Sequence, residues 1–129
     1  MAKISKERNL VYVFILLAIS SIIGILCMET YVDKLNNEYS IDIRDEGNIN
    51  SSVIKIIPWH GVTNIQLSNN KKYWIDHSYN YKYDNNFIGD NLNIGDSIIK
   101  NSNSDSLWII SSNGEFVFLV GEWLNKSKK

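Results

Sequence analysis

The stretch that decides the architecture is residues 10–28, LVYVFILLAISSIIGILCM. Asn9 before it is polar, and no charge falls between residues 9 and 28. Nineteen residues at helical rise cover about 28 Å, close to the roughly 30 Å hydrocarbon core of a bilayer. A cleavable signal has a shorter apolar run and small residues at the cut. Here the run leaves through Gly24-Ile25-Leu26-Cys27-Met28-Glu29, which offers no such site. Lipidation of Cys27 would want a small residue before it, and Leu26 fits poorly. The stretch is expected to be an uncleaved transmembrane anchor, with lipidation and cleavage as lesser alternatives.

Its flanks give an orientation. Lys3, Lys6 and Arg8 precede the run against Glu7 alone, whereas Glu29, Asp33 and Lys34 follow it. The positive-inside rule then places the N-terminus in the cytoplasm and the remainder on the periplasmic or extracellular side of the cell membrane. Ser20 and Gly24 form one small-xxx-small pair. Such a pair can let helices approach closely, but alone it reads as lipid-facing filler. Beyond the run, Tyr31, Leu35 and Tyr39 recur every four residues, so the helix is expected to continue to about Asn37 as a short stalk.

The rest of the chain is too short for more than one domain. Residues 31–129 carry ten Lys/Arg against twelve Asp/Glu. That balance lacks the positive footprint a nucleic-acid partner requires, and the one basic block is the tail Lys126, Lys128, Lys129. Cys27 is the sole cysteine, which excludes an intramolecular disulfide and a multi-cysteine zinc site. The abundance of Ile, Asn and Lys reads as AT-rich, bacterial codon usage rather than function.

After the turn Asp45-Glu46-Gly47-Asn48 the periodicity becomes that of strands. Candidates fall at 52–58, 61–68, 71–77, 96–100, 106–111 and 115–121. Asn113-Gly114 is the strongest hairpin signal, a type I′ turn between SLWIIS and EFVFLVG. Asn69-Asn70 is a weaker one, since asparagine tolerates left-handed geometry. The fold expected is mainly β: one transmembrane helix, then a small antiparallel barrel or curled sheet of about five to six strands. The domains read as 1–9 cytoplasmic, 10–28 transmembrane, 29–48 helical stalk and linker, 49–125 β domain and 126–129 basic tail. The segment 78–93 lacks any period and reads as one long loop.

Catalytic apparatus is not evident. Ser97-Ile98-Ile99-Lys100 matches S-x-x-K, but on a strand residues three apart face opposite ways. His60 and His77 are the only histidines, without metal-ligand spacing, and no metal or cofactor is expected. Both read as partly exposed barrel residues. Asp76 and His77 as strand neighbours would also diverge, so a hydrolase built on Asp76, His77 and Asp84 is the least favoured reading. The aromatic residues Trp74, Tyr79, Tyr81, Tyr83 and Phe87 are more suggestive. The three tyrosines alternate with Asn80 and Lys82 and would line one side of an extended segment, where rings can stack on a sugar or peptide. The competing reading has them covering the end of the barrel, ring buried and hydroxyl in water.

The runs IKIIPWHGVTNIQLSNNKKYWI, SYNYKYDNNF, IGDSIIKNSNSDSLWII and FVFLVGEWLNK together resemble a group of small membrane-anchored bacterial proteins. In that group a hairpin precedes a G-D-S-I-x-K strand and an "nsdtl" turn. The resemblance covers most of residues 50–126, and its most specific piece is Gly95-Asp96-Ser97-Ile98 with Lys100. It implies a shared small barrel-like β domain and no particular reaction. Physically, Gly95 permits a turn, while Asp96 and Ser97 can bond nearby amides as the strand begins. The function expected is a membrane-anchored, non-catalytic module binding a protein or an envelope polymer such as a polysaccharide. The alternative is an accessory subunit that joins a membrane complex through its helix.

Overall fold

In the computed structural model, which describes residues 2–127, the chain divides into two compact units that meet at Asn37 and Glu38. Lys128 and Lys129 of the expected basic tail lie outside the described residues. The first unit is a helix, α1 (Ala2–Glu38), long and apolar enough to cross a membrane, with none of its apolar run buried within the chain. Ser20 and Ser21 Oγ both donate to the Leu17 carbonyl, at 2.9 and 2.8 Å. Their hydroxyls therefore need no outside partner, a condition that a helix in hydrocarbon would have to meet.

The second unit begins at Glu38, so the segment expected as stalk and linker is partly built into it. Asp42 caps a 3₁₀ turn (Ile43–Asp45), and Ile43 is fully buried in the core. Tyr39 is buried beyond the helix end, with Lys72 Nζ 5.8 Å from its ring centroid.

Eight strands follow: β1 (Ile49–Trp59), β2 (Val62–Leu67), β3 (Lys72–Ile75), β4 (Tyr79–Asn80), β5 (Ser97–Lys100), β6 (Ser106–Ser111), β7 (Gly114–Leu119) and β8 (Trp123–Leu124). Six form an antiparallel sheet in the order β3-β2-β1-β5-β6-β7, and β4 and β8 form a parallel pair. The sheet is open, not the barrel that was one expectation. With α1 counted, helix and strand each take up about a third of the chain, so "mainly β" holds for the second unit alone.

Alternation sets the inner face. Ile98 and Lys100 point inward from β5, Leu107 and Ile109 from β6, Thr63, Ile65 and Leu67 from β2. On β1 the phase changes. Val53 is buried, the register slips between Val53 and Lys55, and Ile56 then packs against the core. A β-bulge adds one residue and flips all that follow to the other face. That is why the run Ile54-Lys55-Ile56-Ile57 shows no clean alternation.

The turns differ in part from expectation. His60 (φ 47°) and Gly61 (φ 81°) form the two-residue connection between Trp59 and Val62, both in the left-handed region a primed turn requires. His60 is therefore a turn residue, and β2 starts at Val62 rather than at Gly61. Asn70 (φ 66°) does take the left-handed place expected of it. In the β6–β7 hairpin Ser111 pairs with Gly114, so the connection is Ser112-Asn113, one residue earlier than expected. Of Asn113 and Gly114 only the glycine has positive φ, and Asn113 N donates to Ser111 Oγ.

An open sheet has two edges, and each is met at one residue by another segment. At β3, Trp74 N donates to the Ile41 carbonyl at 2.9 Å. At β7, Val117 N donates to Tyr83 Oη and its carbonyl accepts from Asn80 Nδ2, each at 2.9 Å. The covering segment is the expected loop 78–93. It contains β4 and a short helix, α2 (Ile88–Asn91), and it puts Ile88 and Leu92 into the core.

Replacing Tyr83 with phenylalanine keeps the ring but strands the Val117 N–H. The cost is expected to be about 1–2 kcal/mol, read as a lower urea midpoint for the full chain in detergent.

Candidate functional site

Two clusters of side chains stand out on the second unit. The first is aromatic. The parallel register sets Tyr79 beside Trp123, and Tyr79 also bridges Phe87. Three chain segments therefore bring their rings together around Tyr79. Its centroid lies 5.3 Å from Trp123 at 67°, 5.3 Å from Phe87 and 6.3 Å from Tyr81, which stacks on it at 18°. Trp123 is 51% exposed and Tyr81 38%. Lys126 Nζ rests 4.2 Å from the Trp123 ring centroid.

One amide holds this arrangement. Asn80, 1% exposed, donates to the Val117 carbonyl, and its Oδ1 accepts from Lys82 N and Asn125 Nδ2. Alternation then sends Tyr79 and Tyr81 to the other side of the segment from Asn80. The pattern stops there. Tyr83 N bonds back to the Asn80 carbonyl, and the Tyr83 ring turns inward against Phe116 and Phe118, at 5.0 and 5.7 Å. Trp74 stands on β3 with the Arg44 guanidinium 5.9 Å from its centroid. Of the five residues expected to bind, the structure gathers Tyr79, Tyr81 and Phe87 and gives Tyr83 and Trp74 other neighbours. It adds Trp123, whose approach depends on a pairing across more than forty positions that no local pattern announces.

The second cluster is polar. Arg44 holds both Asp42 oxygens through Nε and Nη2, and Nη2 also reaches Asp76 Oδ2 at 3.2 Å. Asp76 Oδ1 accepts from His77 N and lies 3.1 Å from His77 Nδ1. The two side chains do meet, contrary to the divergence expected of strand neighbours, because β3 ends at Ile75. Gly61 and Gly121 keep the corner open: a side chain at the first would strike the His77 ring, and at the second the Arg44 guanidinium.

This is a carboxylate–histidine pair without a nucleophile. Ser78, next along, donates to the Asp76 carbonyl and accepts from Gly121 N, while Asp84 is exposed on a separate turn. Ser97 and Lys100 lie on opposite faces of β5. Among the described residues no three metal-ligating side chains cluster.

Lys100, 1% exposed, donates to the carbonyls of Glu46 (2.6 Å) and Gly47 (3.4 Å). Gly95 takes φ +95°, and Asp96 Oδ2 accepts from Asn93 N. The Gly95–Lys100 motif thus does structural work along its length. No family model, curated protein or solved structure matches the chain.

The carboxylates give a pH dependence. The hydrogen bond from His77 holds Asp76 below its ordinary value, helped by the His77 N–H and the Arg44 charge and opposed by burial. Tyr73 Oη, 2.5 Å away, lowers Glu46 in the same way, with Lys71 adding to it and burial opposing. A lowered folded pKa contributes stability that is complete above the unfolded value and lost as pH falls through the folded one. The urea midpoint is expected to drop as the pH goes from about 5 to about 2. Asp76→Asn should start lower at neutral pH and meet the unaltered chain in acid.

Proposed function

We propose that this chain is a membrane-anchored, non-catalytic binding module. In this reading α1 sits in the bilayer with Lys3, Lys6 and Arg8 on the cytoplasmic side. The second unit, on the other side, takes a protein or an envelope polymer across Tyr79, Tyr81, Phe87 and Trp123. The observation that carries this is the exposure of Trp123 and Tyr81 within a packed ring cluster. Rings of that size normally lose most of their surface on folding, and aromatic side chains left in water are enriched where partners bind. Asn80 fixes the strand that presents the tyrosines, so a ligand would meet rings already in place.

Two experiments test it. Trp123→Ala and Tyr81→Ala are expected to lower retention of isolated cell-wall polymer, or crosslinking to a membrane partner, about tenfold or more, with the circular dichroism unchanged. Retention equal to that of the unaltered chain would remove the site. For orientation, Ser112→Cys in a Cys27→Ser background is expected to react with a membrane-impermeant maleimide on intact cells. Labelling only after lysis would reverse the topology.

A further inference from the structure

The exposed rings have an occupant of their own. Lys126 belongs to the segment after β8, which has no regular structure, and its ammonium lies over Trp123 at 4.2 Å from the centroid. The geometry is that of a cation on the negative face of an indole, the strongest of the aromatic acceptors. Among the described residues the ring packed against Trp123 is Tyr79, at a steep 67°, so it does not lie flat against the indole. Tyr81 stacks nearly parallel on Tyr79 beside it and keeps part of its own surface in water. Glu122, exposed, precedes Trp123 in the chain, and Asp84, also exposed, lies on the same loop as Tyr81. Lys82 on that loop is the one charge of opposite sense.

The ring face already attracts an ammonium carried on irregular chain. We infer that the aromatic surface takes a lysine-bearing extended segment of a partner protein, and that Lys126 is the intramolecular stand-in the partner displaces. The inference rests on the ring surface being a binding site, and it adds the chemistry of the ligand. A surface cation–π contact is weak enough to exchange, so the stand-in lowers the apparent affinity without closing the seat.

The test uses the full chain in detergent and two peptides, acetyl-Gly-Gly-Lys-Gly-Gly-amide and its norleucine counterpart, which keeps the carbon stem and lacks the charge. Binding is read from the backbone amide resonances of Tyr81 and Asn125, which every variant retains. Lys126→Ala is expected to bind the lysine peptide about twofold to fivefold more tightly than the unaltered chain. The norleucine peptide should bind far more weakly to both, and Trp123→Ala placed on Lys126→Ala should lose the lysine peptide. If that double variant fails to fold, Trp123→Phe keeps a ring in place and is expected to bind severalfold more weakly.

Equal affinity for the two peptides, or no gain from Lys126→Ala, overturns the inference. If a neutral cell-wall oligosaccharide then binds and Trp123→Ala abolishes it, the ring surface stands as a site and only the cationic ligand falls. If neither peptide nor oligosaccharide binds, both readings fall together.

Discussion

An open six-stranded sheet must do something with the unpaired N–H and C=O groups along its two outer strands, and the second unit is organised around that need. An uncovered edge invites pairing with another chain. Here Ile41 meets β3 on one side, and Asn80 and Tyr83 meet β7 on the other. Covering β7 obliges residues 78–93 to fold back along it. That return supplies Ile88 and Leu92 to the inner face and sets β4 where β8 can pair with it. Core, loop and aromatic surface therefore share one cause.

The same geometry separates two kinds of ring. Tyr83 is spent on the edge and the core, while Tyr79 and Tyr81, four and two residues earlier, face away from Asn80 and keep surface in water. A hydrogen bond at Asn80 is thus what turns an alternating tyrosine run into a surface with an inside and an outside. At the far edge Arg44, bound to Asp42 and Asp76, ties the segment before β1 to the end of β3. That polar corner contains an aspartate and a histidine in contact, with Arg44 engaged by the two carboxylates and Ser78 by the Asp76 carbonyl and Gly121 N.

What could be read in advance follows from how local each signal is. The long N-terminal helix contains one uninterrupted apolar run, and all six strands of the main sheet announce themselves through alternation or flanking turns. The barrel expectation failed because closure depends on what covers the edges, and Asn80, Tyr83 and Ile41 carry no mark of that task. The bulge after Val53 broke the alternation where the run of isoleucines looked uniformly apolar. The His60-Gly61 turn lies one residue later than the gap between the expected strands, because histidine tolerates the left-handed region better than most residues and Gly61 adopts it freely. Trp123 could not be assigned to the ring cluster because a two-residue parallel pairing leaves no periodic trace. The loop 78–93 lacks a period for a physical reason: Asn80 and Tyr83 are set by β7, Tyr79 by the rings around it, and Ile88 and Leu92 by the core.

Lys100 shows how the chain distributes its tolerance to change. Its ammonium is received by main-chain carbonyls at Glu46 and Gly47, and a carbonyl is supplied by any amino acid. The donor position is therefore tied to one residue type, while the positions that receive it are free to drift as far as that bond is concerned. Divergent copies of this chain could exchange residues 46 and 47 and still seat the same buried cation.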